Sequence, residues 1–175
     1  MPARTDRSRT VEQPTPTAQA RMITKSSVVT SPVVRAAGLV PVRLDLAHVG
    51  TAEQQLGLTL GTVLVYLRTG ITARAIADGW TETAVAAQSP APAVTGRRPL
   101  LIGPTTVAAM IRFAGLPRVT SAFEPARAGG AVPAMLRIEV GPVTWEVCDA
   151  TAYTSMLRAW RQAARLLGEN PTEDE

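Results

Sequence analysis

The sequence predicts an α+β fold of two tandem, pseudo-symmetric units, each with a short helix, three antiparallel strands and a long helix. The stretch LGLTLGTVLVYLRT at 56–69 aligns without gaps with LRIEVGPVTWEVCD at 136–149. The same register continues until Trp80 meets Trp160. Two copies are too few for a solenoid, so we interpret the pattern as a duplicated unit within one domain.

Each unit is predicted to begin with a short helix. VVRAAGLVP at 33–41 matches MIRFAGLP at 110–117, just upstream of the first alignment. Proline is favoured in the first helical turn, and glycine just beyond the last turn. The residues expected to start and end these helices are Ser31-Pro32 and Gly38 in the first unit, and Gly103-Pro104 and Gly115 in the second.

Three strands follow in each unit, and the last two form a tight hairpin. The first strand is expected at 42–49 in one unit and at 118–123 in the other. Gly61-Thr62 and Gly141-Pro142 are two-residue connections with glycine first, which is the pattern of a type II′ turn. Alternation then gives each hairpin one apolar face. These faces carry Leu56, Leu58, Leu60, Val63, Val65 and Leu67, and Leu136, Ile138, Val140, Val143, Trp145 and Val147.

The opposite faces of the two hairpins differ. In the second unit this face is polar and expected to be exposed, with Arg137 opposite Glu146. Its residues are Arg137, Glu139, Thr144, Glu146 and Cys148. In the first unit Gly57 is expected opposite Tyr66, whose ring can cover the missing side chain. We therefore predict that Leu64 and Tyr66 are partly buried and form an interface with the N-terminal segment, the other unit or a second subunit.

A long helix closes each unit, capped by Thr69 in the first and by Asp149 in the second. Trp80 and Trp160 fall on apolar helical stripes and are expected to pack on the inner face of their own sheet. Two sheets facing each other through the helices, or one merged sheet of about six strands, both fit. We favour a pseudo-symmetric arrangement with the long helices on one side. The predicted segments are a disordered basic arm (1–28), the first unit (29–88), a linker (89–104), the second unit (105–168) and an acidic tail (169–175).

Bulk composition restricts the class of protein. The 175 residues include 18 basic and 14 acidic side chains, with a net charge of +4. Lys25 is the one lysine, so the chain is basic and arginine-rich, which permits a nucleic-acid partner without requiring one. A single cysteine excludes an intramolecular disulfide and fits a reducing compartment. No apolar run approaches the roughly 20 residues of a membrane span, so we expect a cytoplasmic protein with no membrane partner.

Signatures of catalysis are scarce. One histidine, His48, and one cysteine, Cys148, exclude the usual zinc sites, and there is no glycine-rich phosphate loop. Cys148 precedes a predicted helix start, where the pKa of a thiol can fall. A Cys148/His48 dyad is therefore the enzymatic hypothesis, and it is the least favoured one. We expect no catalytic residue, no metal and no cofactor.

The favoured hypothesis is a non-catalytic binding or assembly protein with a protein partner or self-association. The second hypothesis is a nucleic-acid-associated accessory protein, in which a basic arm and a basic helix face hold a phosphate backbone. The candidate nucleic-acid contacts are Arg97 and Arg98 in the linker, and Arg158, Arg161 and Arg165 on the last helix. A plainer interpretation is a solvated helix end, where arginine is favoured by the helix dipole.

Overall fold

The chain folds as α+β, with two four-stranded sheets and two long helices in the described part. The computed structural model describes residues 31–88, 109–126 and 134–168. The elements are β1 (Val33–Ala36), β2 (Val42–Ala47), β3 (Gln55–Leu60), β4 (Val63–Leu67), α1 (Gly70–Glu82), a 3-10 turn (Ala86–Gln88), β5 (Ala109–Arg112), β6 (Val119–Glu124), β7 (Met135–Val140), β8 (Val143–Val147) and α2 (Ala150–Gly168). Sheet I has the order β2-β3-β4-β5, and sheet II has the order β1-β8-β7-β6.

The short helices predicted at the start of each unit are wrong. The segment 33–36 is β1, which lies parallel to β8, and the segment 109–112 is β5, which lies parallel to β4. Helices this short are unfavourable, whereas pairing beside a strand satisfies the backbone groups. Gly38 and Gly115 do adopt positive φ, 69° and 72°, but they turn the chain out of a strand. The expected helix start at Gly103-Pro104 lies outside the described residues.

In each sheet, one of the two edge strands comes from the other half of the chain. β1 precedes the strands of sheet I but joins sheet II, and β5 precedes the strands of sheet II but joins sheet I. Backbone hydrogen bonds therefore tie the halves together. Cys148 N–H donates to Ala36 O at 2.9 Å, and Phe113 N–H donates to Tyr66 O at 3.3 Å. The alternative of one merged sheet is wrong.

The two predicted hairpins are confirmed in register and in burial. Leu60 pairs with Val63 across the first turn, and Val140 pairs with Val143 across the second. Gly61 and Gly141 have positive φ, as the first residue of a type II′ turn requires. The twelve apolar side chains predicted for the inner faces are all at most 5% exposed.

One core lies between the helices and the inner faces of both sheets. The helices contact each other along their length, and each contacts strands of both sheets rather than lying on one side of a single sheet. Trp80, Trp145 and Trp160 are almost fully buried, with ring centroids 6.2 to 6.5 Å apart. The Tyr153 hydroxyl donates to Trp80 O within this cluster. The tryptophans of the two helices thus meet in one environment.

The Ala-Gly-Leu loops after β1 and β5 each hold the start of the helix in the opposite half. Asp149 caps α2 by accepting Ala152 N–H at 2.7 Å, and its other oxygen accepts Gly38 N–H at 2.7 Å. At α1, Thr72 N–H donates to the Thr69 hydroxyl at 3.2 Å, and the Thr72 hydroxyl donates to Gly115 O at 2.7 Å. These bonds orient both helices against both sheets. Neither described helix has the length and apolarity to cross a membrane.

Candidate interaction surface

The outward face of sheet I is the candidate interaction surface. Strand register places its side chains in two lateral rows that run across the sheet from β2 to β5. The rows are Asp45–Gly57–Tyr66–Arg112 and Arg43–Thr59–Leu64–Met110, and we call these eight residues the sheet I face. Charged side chains lie only on the two edge strands of these rows. The two central strands contribute glycine, threonine, leucine and tyrosine.

The centre of the sheet I face is covered by side chains of the same sheet. Leu64 and Tyr66 are both half-buried, as predicted. A Cβ atom placed on Gly57 would lie 3.6 Å from Leu64 Cδ1 and 3.8 Å from Tyr66 Cε1, so both side chains lean over the glycine. Met110 on the edge strand is 66% exposed. The three apolar side chains therefore form a continuous strip that faces outward.

The outward face of sheet II has the same layout with different residues. Its rows are Ala122–Arg137–Glu146–Arg35 and Thr120–Glu139–Thr144–Val33, and we call these residues the sheet II face. Arg35 binds Glu146 at 2.6 Å, and Arg137 lies 3.2 Å from Glu139. Arg137 does lie opposite Glu146 in register, but the close ion pair of Glu146 is with β1. This face is therefore dominated by charged, mutually paired side chains.

The predicted exposure of Thr144 and Glu146 is wrong. Thr144 is 7% exposed and the side chain of Glu146 is 16% exposed. Both lie on β8, which becomes a central strand when β1 pairs beside it. With the segment 33–36 assigned to a helix, no strand was expected beside β8, so its outward residues were expected to be exposed.

The three helical arginines of the nucleic-acid hypothesis lie on the exposed side of α2. Arg158, Arg161 and Arg165 are exposed, while Met156 and Trp160 on the same helix are buried. Arg161 donates to the Thr81 hydroxyl at 3.1 Å. Within the described ranges, none of the three arginines has an acidic partner within 4.0 Å. Arg97 and Arg98 lie outside the described residues.

The hypothetical catalytic dyad is not assembled. Cys148 is fully buried directly after β8 of sheet II. His48 is exposed in the turn after β2 of sheet I, with a positive φ of 55°. Within residues 31–88, 109–126 and 134–168, no group of three His, Cys, Asp or Glu side chains has the geometry of a metal site.

A shallow cavity of about 320 Å³ lies beside the first turns of α2. It is lined by Leu39, Ala150, Thr151, Thr154, Ser155 and Arg158. The hydroxyls of Thr154 and Ser155 donate to carbonyls of their own helix at 2.8 and 2.9 Å, so these donors are already used. These two hydroxyl protons are therefore not available to a ligand, and Arg158 is the charged side chain of the lining.

Sequence reasoning missed the edge residues of the sheet I face. Met110 and Arg112 were assigned to a helix, so their position beside Leu64 and Tyr66 could not be foreseen. The match of MIR at 110–112 with the β-branched VVR at 33–35 was the available signal, because Val-Val favours a strand. Comparisons of this chain with protein-family models, with curated proteins and with solved structures give no match.

Proposed function

We propose that the protein is a non-catalytic binding or assembly protein, and that the sheet I face is the surface through which it contacts another protein chain. The observation that carries this proposal is the uncharged centre of an outward sheet face. A contiguous exposed apolar strip on a monomer often marks an interaction site. Tyrosine and methionine are also enriched where proteins meet, and charged residues are depleted from the cores of such interfaces.

We further propose that the fold arose by duplication of one α+β unit into a pseudo-dimer. Three observations support this: the sequence match, the equivalent strand orders of the two sheets, and the reciprocal exchange of β1 and β5. The helix-start contacts of Gly38 and Gly115 are reciprocal in the same way. A cytoplasmic location remains part of the proposal, and the single cysteine supports it.

Substitution of Tyr66 tests the proposed contact surface. In an extract of the source cells, Tyr66→Glu should shift the full-length protein from an assembly to its monomer mass of 18.5 kDa in size-exclusion chromatography. Ala122→Glu is the matched control, because it adds the same charge to an exposed site on the sheet II face. It should leave the assembly unchanged. An unmodified protein that elutes as a monomer in the extract would contradict the proposal.

A second candidate function is nucleic-acid association through α2. The exposure of Arg158, Arg161 and Arg165 on one helix supports it, because phosphate backbones are held by such clusters. Binding should then be independent of sequence and should weaken steeply with salt. Absence of binding to duplex and single-stranded DNA at low salt, with the complete chain, would remove this alternative.

A further inference from the structure

The two edge strands of the sheet I face carry opposite charges in one lateral row. Asp45 on β2 and Arg112 on β5 are joined in register through Gly57 and Tyr66. Both end residues are exposed, and the residues between them are uncharged. Asp45 binds Arg43 of its own strand at 2.8 Å, but its side chain stays 56% exposed, so its carboxylate can accept from a second guanidinium. The row therefore runs from an acid, through an aromatic centre, to a base.

Arg112 lacks the neighbour that its counterpart has in sheet II. Arg35 occupies the same edge position there and binds Glu146 on the adjacent strand at 2.6 Å. In sheet I the adjacent residue is Tyr66. Among the described residues, no carboxylate lies within 4.0 Å of Arg112. A partner that sits on this face can therefore supply an acid at the β5 edge.

A second copy of this chain supplies that acid by symmetry. Consider two sheet I faces stacked about a two-fold axis that runs parallel to the strands, between β3 and β4. The rotation places β2 of one copy over β5 of the other, so that Asp45 meets Arg112 of the second copy at both edges. The two Tyr66 rings, each leaning over Gly57 toward the axis, meet at the centre. A two-fold axis at right angles to the strands and through this row would instead place Asp45 over Asp45 and Arg112 over Arg112, which are like charges.

We propose that the partner at the sheet I face is a second copy of this chain, in the arrangement with β2 over β5. This inference rests on the proposed function and names its partner. Four strands about 4.8 Å apart, with residues about 3.4 Å apart, give a face roughly 15 to 20 Å on each side, or about 200 to 400 Å². That is smaller than the about 800 Å² per partner of standard stable interfaces. The dimer should therefore be weak and concentration-dependent, in the micromolar range.

Charge reversal tests the arrangement with purified full-length protein. Sedimentation equilibrium should show a reversible dimer of twice 18.5 kDa for the unmodified chain. Asp45→Arg alone and Arg112→Asp alone should each weaken self-association at least tenfold, because each places like charges together at both edges. A mixture of these two variants should restore the dimer as a heterodimer. Circular dichroism should show all variants folded, since exposed charges contribute little to stability.

The double variant Asp45→Arg/Arg112→Asp distinguishes the two possible axes. With β2 over β5, the double variant pairs with itself but not with the unmodified chain, since every cross pair joins like charges. Preferential mixing of the double variant with the unmodified chain would overturn the proposed arrangement. A purified protein that stays monomeric, while Tyr66→Glu still dissolves an assembly in cell extract, would overturn self-pairing and leave the proposed function standing. If the purified protein stays monomeric and Tyr66→Glu also has no effect in cell extract, both the self-pairing and the proposed contact surface are wrong.

Discussion

The inner faces of the two sheets are alike, whereas their outer faces differ at nearly every position. The inner faces are fully apolar and pack into one core. At its centre, Trp145 of sheet II contacts Trp80 and Trp160 of the two helices. On the outer faces, Tyr66 takes the place of Glu146, Gly57 that of Arg137 and Leu64 that of Thr144. Packing constrains the inner residues, but nothing in the fold requires an uncharged outer centre. The difference is what supports the proposed contact at the sheet I face.

The first prediction tests the likeness of the inner sides. Trp80→Ala and Trp160→Ala should each lower the free energy of unfolding by about 3–5 kcal/mol, because both rings are fully buried in one cluster. Urea unfolding followed by circular dichroism measures this, with the exposed Arg74→Ala as control. A loss under about 1 kcal/mol for one tryptophan only would break the equivalence of the two helices.

The second prediction compares the two helix starts. Asp149→Ala should cost about 2–3 kcal/mol, because it leaves both Gly38 N–H and Ala152 N–H without their carboxylate acceptor. Thr69→Ala at α1 should cost only about 1 kcal/mol, since the Thr69 hydroxyl accepts a single backbone N–H, at 3.2 Å. The same unfolding assay decides the order, and a reversed order would contradict it.

The third prediction concerns the ion pair on the sheet II face. Arg35→Ala should lower the free energy of unfolding by about 0.5–1 kcal/mol, because the Arg35 side chain is 45% exposed and its attraction to Glu146 is screened. The effect should shrink when salt is added. Self-association should be unaffected, since this pair lies on the other sheet. A loss of dimer without a loss of fold would move the contact surface to sheet II.

The smallest effect is expected for the arginines of α2. Changing Arg158, Arg161 and Arg165 together to alanine should alter the free energy of unfolding by less than about 0.5 kcal/mol per residue, because all three are exposed. If α2 holds a phosphate backbone, the triple variant should bind duplex DNA more weakly at every sequence, with a flatter salt dependence. Fluorescence anisotropy across a salt series measures both.

Local sequence patterns predicted the two hairpins. They did not predict β1 and β5, because these strands form by pairing with distant segments of the chain. The registers across Gly61 and Gly141 depend on alternation and on a turn residue, and both are properties of a few adjacent positions. The segments 33–36 and 109–112 are strands only because β8 and β4 lie beside them, more than forty residues away in the chain. A capping signal such as Ser31-Pro32 is weaker than such pairing.

Only the centre of the sheet I face could be predicted from local sequence patterns. Leu64 and Tyr66 follow from alternation within one hairpin, so their outward position and partial burial could be foreseen. Met110 and Arg112 join them through the parallel pairing of β5, and Asp45 matters only when the whole row is known. The charge arrangement across the sheet is therefore a property of the tertiary structure.

Hydroxyl-radical footprinting of the unmodified protein tests the central claim that two copies of this chain meet through the sheet I face. Mass spectrometry would follow oxidation of Met110 and Tyr66 from micromolar to near-millimolar protein. Leu39 and Leu116, which are 79% and 69% exposed away from this face, serve as internal references. The account predicts that Met110 and Tyr66 become protected as concentration rises, while both references keep their reactivity. Unchanged reactivity of Met110 and Tyr66, with protection elsewhere, would contradict it.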